Sequence, residues 1–304
     1  MILILCAEAG AASPRLVSTN YGLVDADVSY SSLHRNSLDL YIPHQLDFSA
    51  IVSEQEELQP IALDVPRKRF PVILFVHGGS FVAGDRKEFP YAQIGEAFQR
   101  QGIICAVMSY RLMQDSVWPA QPRDVARAVR WLKENVSQYG GDPDRIYIVG
   151  HSAGGHLAAL VSTDSTYLHE AGLSLKDIAG TVAMGAMMSD GGSLASITAA
   201  EEQRLFRTDW FFKIFGSKEN FANSLPLRHV NPFMPKMLLI LADSERFDPP
   251  KEASVQEFIA SSYRVNASVQ YFILNDRTHM GTVEHMADPS DPAVRTILSF
   301  ITAP

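Results

Sequence analysis

The chain has 304 residues, of which 46% are hydrophobic and 20% charged. These are ordinary globular proportions, and they exclude a disordered chain, a collagen-like chain and a multi-span membrane protein. Lysine and arginine number 26 against 34 aspartates and glutamates, a net charge of −8, so nonspecific binding to nucleic acid or to an anionic membrane is not expected.

Met1 to Ala7 reads Met-Ile-Leu-Ile-Leu-Cys-Ala. It lacks a basic flank and is short for a secretory signal, so a cytoplasmic location is expected, with secretion as the alternative. No run approaches the roughly 20 apolar residues of a membrane span. Val28 to Tyr30 and Leu38 to Ile42 alternate in polarity and suit antiparallel strands at a sheet edge. Residues 43–69 are polar and read as a surface connection.

Beyond that point, short apolar runs alternate with helical patterns. Strands are expected at Phe70–Val76, Ile103–Tyr110, Arg145–Val149, Ile178–Met184, Met237–Leu241 and Ala267–Leu274. Helices are expected at Tyr91–Gln101, around Val125, Val129 and Leu132, and from His156 to Ser162. Two more follow at Pro249–Ser262 and Asp291–Ile301. Strands buried on both faces and separated by helices imply a mostly parallel sheet covered by helices. The whole chain, 1–304, reads as a single α/β domain. Residues 185–235 interrupt the rhythm with Met187, Met188, Trp210, Phe211, Phe212, Phe215 and Phe221. An insertion of that kind at the carboxyl edge of a sheet is expected to form a small cap over a pocket.

Two cysteines, Cys6 and Cys105, are too few for a disulfide framework or a zinc cluster. No Walker loop, dinucleotide fingerprint or zinc-spaced pair is present. No cofactor and no metal are therefore expected, and the partner expected is a small acyl substrate. An oligomer is possible but nothing indicates one.

Gly150-His151-Ser152-Ala153-Gly154 lies between a strand and a helix. A Gly-x-Ser-x-Gly pattern arises by chance about 0.1 times in 300 residues at average composition, and its strand-turn-helix setting raises its weight. The turn is tight enough that only small residues fit two positions either side of the serine. It lifts Ser152 Oγ clear of the backbone and aims the Ala153 amide at the same point. His77-Gly78-Gly79-Ser80-Phe81 follows another strand. Its paired glycines allow the Gly78 and Gly79 amides to turn outward and hold a developing alkoxide, each donor being worth roughly 3 kcal/mol of barrier. His77 is expected to fix this loop rather than to act as a base.

The order of these two motifs resembles the α/β-hydrolase superfamily. Within it, the sequence is similar to the hormone-sensitive-lipase-like esterases and to the neighbouring feruloyl-esterase-like and kynurenine-formamidase-like enzymes. Leu38-Asp39-Leu40-Tyr41, Ser109-Tyr110-Arg111-Leu112, Trp118-Pro119-Ala120, Asp124-Val125 and Gly141-Asp142-Pro143 fit the same group. The resemblance spans roughly residues 30–302. It implies an α/β-hydrolase fold and a serine hydrolase acting on small to medium carboxylic esters through an acyl-enzyme. It also leaves two alternatives. One is an aryl formamidase of the N-formylkynurenine type, with the same serine machinery. The other is a non-catalytic ligand receptor, against which the presence of both Ser152 and His279 argues. The oxyanion loop ends Gly-Gly-Ser where many lipase-like members carry a third glycine, a departure that argues against bulky tertiary-alcohol esters.

A serine needs a base, and the base needs an orienting carboxylate. The superfamily's chain order is serine, acid, histidine. His279, just past the last strand, occupies the family's histidine position, with His285 as a rival. The acid lies in Ala242-Asp243-Ser244-Glu245-Arg246-Phe247-Asp248-Pro249-Pro250. The Asp-Pro-Pro pattern puts Asp248 first, although an aspartate before proline at a helix start is also an ordinary N-cap. The family's spacing from the strand end gives Glu245 as the alternative, and Asp243 ranks third. The role of His151 beside the serine is left open between substrate contact and packing.

Overall fold

The structure is a computed structural model that describes residues 16–44, 69–191, 198–247 and 249–303. Met1 to Ala7, residues 45–68 and Asp248 lie outside the described residues. Nine strands form one sheet in the order β1-β2-β3-β5-β4-β6-β7-β8-β9. They are β1 (Leu16–Thr19), β2 (Gly22–Ser29), β3 (Ser37–Pro43), β4 (Phe70–Val76), β5 (Ile104–Met108), β6 (Gly141–His151), β7 (Gly180–Met184), β8 (Met237–Ala242) and β9 (Val269–Leu274). The first three pair antiparallel, as does β3 with β5, and every later pairing is parallel. This is the mostly parallel α/β-hydrolase sheet expected from the sequence, with the early strands at its edge.

Alternate residues of the central strands feed opposite faces. Val72, Leu74 and Val76 pack on one side with helices α2 (Ala120–Asn135), α3 (Ala153–Thr163) and α4 (Ser165–Glu170). Ile73 and Phe75 pack on the other with α1 (Tyr91–Arg100) and the C-terminal helix. Both faces being covered explains why these strands read as unbroken apolar runs. Helix α3 starts at once after Ser152, three residues earlier than the sequence suggests. All eleven of its residues are buried, so it carries no amphipathic stripe to mark its start. Asp124 and Arg123, at the start of α2, are structural. Asp124 is fully buried between Arg111 and Arg127, and Arg123 pairs with Glu170.

Register sets where the loops leave the sheet. Val76 lies level with Gly150, and His151 with Met184. Ala242 lies level with Leu274. The connections after β4, β6, β7, β8 and β9 therefore emerge along one carboxyl edge, where open parallel sheets place their ligands. Among the described residues, the segment after β7 forms three short helices, α5 (Ala199–Thr208), α6 (Trp210–Phe215) and α7 (Lys218–Asn223). Helix α8 (Pro249–Arg264) follows the loop after β8. Helices α9 (Gly281–Glu284) and α10 (Pro292–Thr302) close the chain, Asp291 capping α10 through the Ala293 amide.

Candidate active site

Ser152 sits at the junction of β6 and α3 with φ 55° and ψ −121°. A left-handed φ at a non-glycine residue is uncommon and concentrates at functional sites. Steric contact fixes the neighbours. A Cβ on Gly150 would lie 2.2 Å from the Gly154 carbonyl oxygen, and one on Gly154 would lie 2.1 Å from that of Val76. Both glycines are thus required by backbone-on-backbone packing, as the motif implies. The Ser152 amide donates to the Met184 carbonyl at 2.8 Å, anchoring the turn to β7.

The loop after β4 differs in one respect from expectation. The Gly78 amide donates to Tyr91 Oη at 3.1 Å, so it is engaged and not open to an oxyanion. Its glycine identity instead reflects contact, since a Cβ there would lie 3.2 Å from Ser152 Cβ. Gly79, Ser80 and Phe81 follow with φ of 111°, 51° and 63°. Three left-handed residues in succession turn the chain, and the amides of Gly79 and Ser80 have no acceptor among the described residues. The Ala153 amide, first in α3, has no intrahelical acceptor. Of the three amides expected to face an oxyanion, that of Gly78 is thus on Tyr91, while those of Gly79 and Ala153 are unengaged among the described residues, as is that of Ser80. His77 is buried, with Nδ1 2.7 Å from the Gly78 carbonyl oxygen, and stacks on Tyr110. Burial pushes its imidazole down to about 4, which suits a neutral loop-fixing role.

His279 lies in the connection after β9. Its Nδ1 is 2.6 Å from Glu245 Oε1. The carboxylate on His279 is therefore Glu245, whereas the sequence placed Asp248 first. Asp248 itself lies outside the described residues. The physical reason for the difference is register: β8 and β9 run level at Ala242 and Leu274, so the turn directly after β8 faces the loop that carries His279. The family spacing pointed to this position, and the Asp-Pro-Pro pattern led away from it. His285 makes a different contact, its Nδ1 lying 2.8 Å from the Gly281 carbonyl oxygen.

Glu245 is only 5% exposed. Burial raises its carboxyl pKa, but this is outweighed by hydrogen bonds from His279 and Lys251, the Lys251 charge and the Ala242 amide. Together they hold the pKa at about 2. An ionised carboxylate only accepts, so Nδ1 of His279 carries the proton in this contact and Nε2 is the nitrogen left for a reacting group. Two further residues shape this pair, and neither was marked by the sequence. Lys251 Nζ, from the first turn of α8, lies 2.5 Å from the same Glu245 Oε1. Gly185, at φ 56°, makes room: a Cβ there would lie 2.8 Å from His279 Nδ1 and 3.0 Å from Glu245 Oε1. A glycine directly after a strand, in the level of the serine turn, was the available signal for the second. Nothing in the sequence points to the first.

His151 supports the backbone of this loop. Its Nε2 lies 2.9 Å from the His279 carbonyl oxygen, which can only accept, so Nε2–H donates. Burial, then the neighbouring His279 charge, pushes His151 down to about 3. It stays neutral and holds position, which resolves its open role toward packing.

Ser152 and His279 line one cavity of about 160 Å³, together with Ala153, Ser80, Phe81 and Met187. No hydrogen bond joins the two side chains directly. His156 closes the cavity on one side, buried, with Nδ1 2.8 Å from the Met187 carbonyl oxygen. Behind it stands an aromatic cluster. Phe81 meets Trp118, His156 and Phe215 edge to face, and Phe215 packs on Phe221 at 5.0 Å between centroids. Helices α6 and α7 thus pack onto the loop that follows β4. Met188 is buried against Val255 and Phe258 of α8. The side chains of Trp210 and Phe211 lie outside the described residues. Among the described residues, no cluster of three or more His, Cys, Asp or Glu could hold a metal ion, and no helix is long and apolar enough to cross a membrane.

The chain resembles known proteins in both sequence and fold. The BD-FAE family model matches residues 62–254. Esterase LipC of Mycobacterium tuberculosis is 41% identical over 97 residues, 32% of this chain and 24% of LipC. A probable isoprenylcysteine alpha-carbonyl methylesterase of Oryza sativa subsp. japonica is 24% identical over 286 residues, 91% of this chain and 63% of that protein. The chain thus spans about a quarter of the first relative's length and under two thirds of the second's. A truncated form of a carbohydrate esterase from gut microbiota superposes with a TM-score of 0.66 at 19% identity. That match covers 93% of this chain and 96% of the other, and it shows the shared fold.

Proposed function

Because the chain belongs to the BD-FAE family, we propose that it is a serine hydrolase that cleaves small to medium carboxylic esters through an acyl-enzyme on Ser152. One observation carries this reading. A strained serine turn opens onto the same cavity as a histidine whose Nδ1 is held by a buried, ionised glutamate. Two relatives by sequence are named esterase and methylesterase, and a structure of shared fold is a carbohydrate esterase, which supports ester over amide chemistry.

In this mechanism, His279 Nε2 takes the Ser152 Oγ proton as Oγ attacks the acyl carbonyl. The amides of Gly79, Ser80 and Ala153 receive the oxyanion. Glu245 stabilises the imidazolium that forms and keeps Nδ1 protonated. His279 then gives its proton to the leaving alcohol. Water, deprotonated by the same nitrogen, attacks the acyl-enzyme and frees the acid. A cavity of about 160 Å³ is small beside typical drug-sized sites, which favours short acyl or alcohol groups. The described residues of the 185–235 segment serve as the cap. Phe215 and Phe221 carry it against the Phe81 loop, and Met187 supplies one wall.

The test is kcat/KM for p-nitrophenyl butyrate beside N-formylkynurenine, in the wild type and in Ser152→Ala. Ester turnover that falls by about 10⁴-fold or more in the variant supports the proposal. Faster formamide than ester turnover would reassign the protein to amide hydrolysis. Activity that survives Ser152→Ala would overturn the mechanism.

A further inference from the structure

We propose that Lys251 is a positioning residue that sets the lower pH limit of activity by sharing the carboxylate of Glu245 with His279. The inference rests on the proposed roles of Ser152, His279 and Glu245 and adds a fourth member to that set.

The geometry is specific. Glu245 Oε1 receives two donors, Lys251 Nζ at 2.5 Å and His279 Nδ1 at 2.6 Å. Its other oxygen accepts the Ala242 amide at 2.8 Å. Two donors on one oxygen place the ammonium and the imidazole no more than about 5 Å apart. The groups that face His279 come from three elements. Glu245 reaches it from the turn after β8, Lys251 from α8, and His151 from the end of β6. His151 is neutral, as its burial dictates. Among the described side chains in contact with this pair, the imidazole meets one carboxylate, itself held by one ammonium.

That opposition has a direction. A proton arriving on Nε2 makes an imidazolium, which Glu245 favours and Lys251 disfavours. Glu245 alone would stabilise the cation strongly and keep the base protonated to a higher pH. With Lys251 on the same oxygen, much of the carboxylate charge is already matched. His279 is then free to accept the serine proton at a lower pH. At a separation near 5 Å in a partly buried site, an effect of about one pH unit is expected. Lys251 is 24% exposed at its side chain and lines the cavity. It is thus close enough to act on the imidazole through the carboxylate they share.

The experiment is the pH dependence of kcat/KM for p-nitrophenyl butyrate from pH 4 to 9, read at the p-nitrophenol isosbestic wavelength. Three variants are compared with wild type: Lys251→Met, Lys251→Gln and Lys251→Arg. Lys251→Met should move the acid limb to higher pH by about one unit, with KM changed less than kcat below the limb. Lys251→Gln keeps a hydrogen-bond donor without the charge and should move the limb the same way. Lys251→Arg should restore the wild-type profile. A Lys251→Met or Lys251→Gln enzyme that melts like wild type, loses rate evenly at all pH and keeps its acid limb would overturn the proposal. A limb displaced equally in Lys251→Arg would overturn it too, because charge would then not be the cause. Failure of the underlying reading looks different: Ser152→Ala would retain activity, or the wild type would show no acid limb at all.

Discussion

The serine turn and the acid turn lie one strand apart along the same sheet edge, yet they are built on different constraints. In the serine turn, backbone meets backbone. Gly150 and Gly154 are excluded from carrying a Cβ by carbonyl oxygens 2.1–2.2 Å from where it would stand, so sequence and geometry imply each other. In the turn after β8, three carboxylates follow within six positions, and no steric rule chooses among them. The choice falls to Glu245 because its side chain meets Nδ1 of His279, a residue 34 positions later. The comparison teaches that a motif is legible where its own backbone forces residue type. It becomes ambiguous where the partner arrives from a distant strand.

The largest test of that contrast is Glu245→Gln against Asp248→Asn. The first leaves Nδ1 without its anion and should cost about 10⁴-fold in kcat. The second should stay within a few fold, and the reverse pattern would hand the acid role to Asp248. Gly185→Ala asks whether the acid side of the site also carries a hidden steric rule. Its methyl would press on both His279 and Glu245 and would sit at a strained φ. A loss of roughly 100-fold in kcat/KM, with the melting temperature lowered by only a few degrees, is expected on displacement of the pair. Unchanged activity would mean the pair moves aside freely.

The smallest effect concerns acid stability. The Glu245 carboxyl is held at about 2 against an ordinary 4.5, so its contribution is fully present above about pH 4.5 and is lost as pH falls toward 2. The stability difference between wild type and Glu245→Gln, from urea unfolding at pH 6 and pH 3, should narrow by on the order of 2 kcal/mol. A difference that stays constant across that range would show that the carboxylate is not held ionised by the fold.

The residues alone determined the layered parallel sheet, because strands buried on both faces must be continuously apolar. They also made Ser152 and His279 legible as candidates, because a tight strand-to-helix turn and a histidine past the last strand are local features of chain order. What the local pattern misjudged has one cause: each case depends on contacts between segments far apart in the chain. Gly78 resembled an oxyanion donor until its amide was found on Tyr91. Gly79, Ser80 and Phe81 form a run of three left-handed residues that the motif did not announce. Glu245 meets His279 through the level register of β8 and β9, while Asp248, placed first by the local pattern, lies outside the described residues. Lys251 and Gly185 carry no motif, and only the packing of α8 and β7 around one carboxylate oxygen gives them a place beside it.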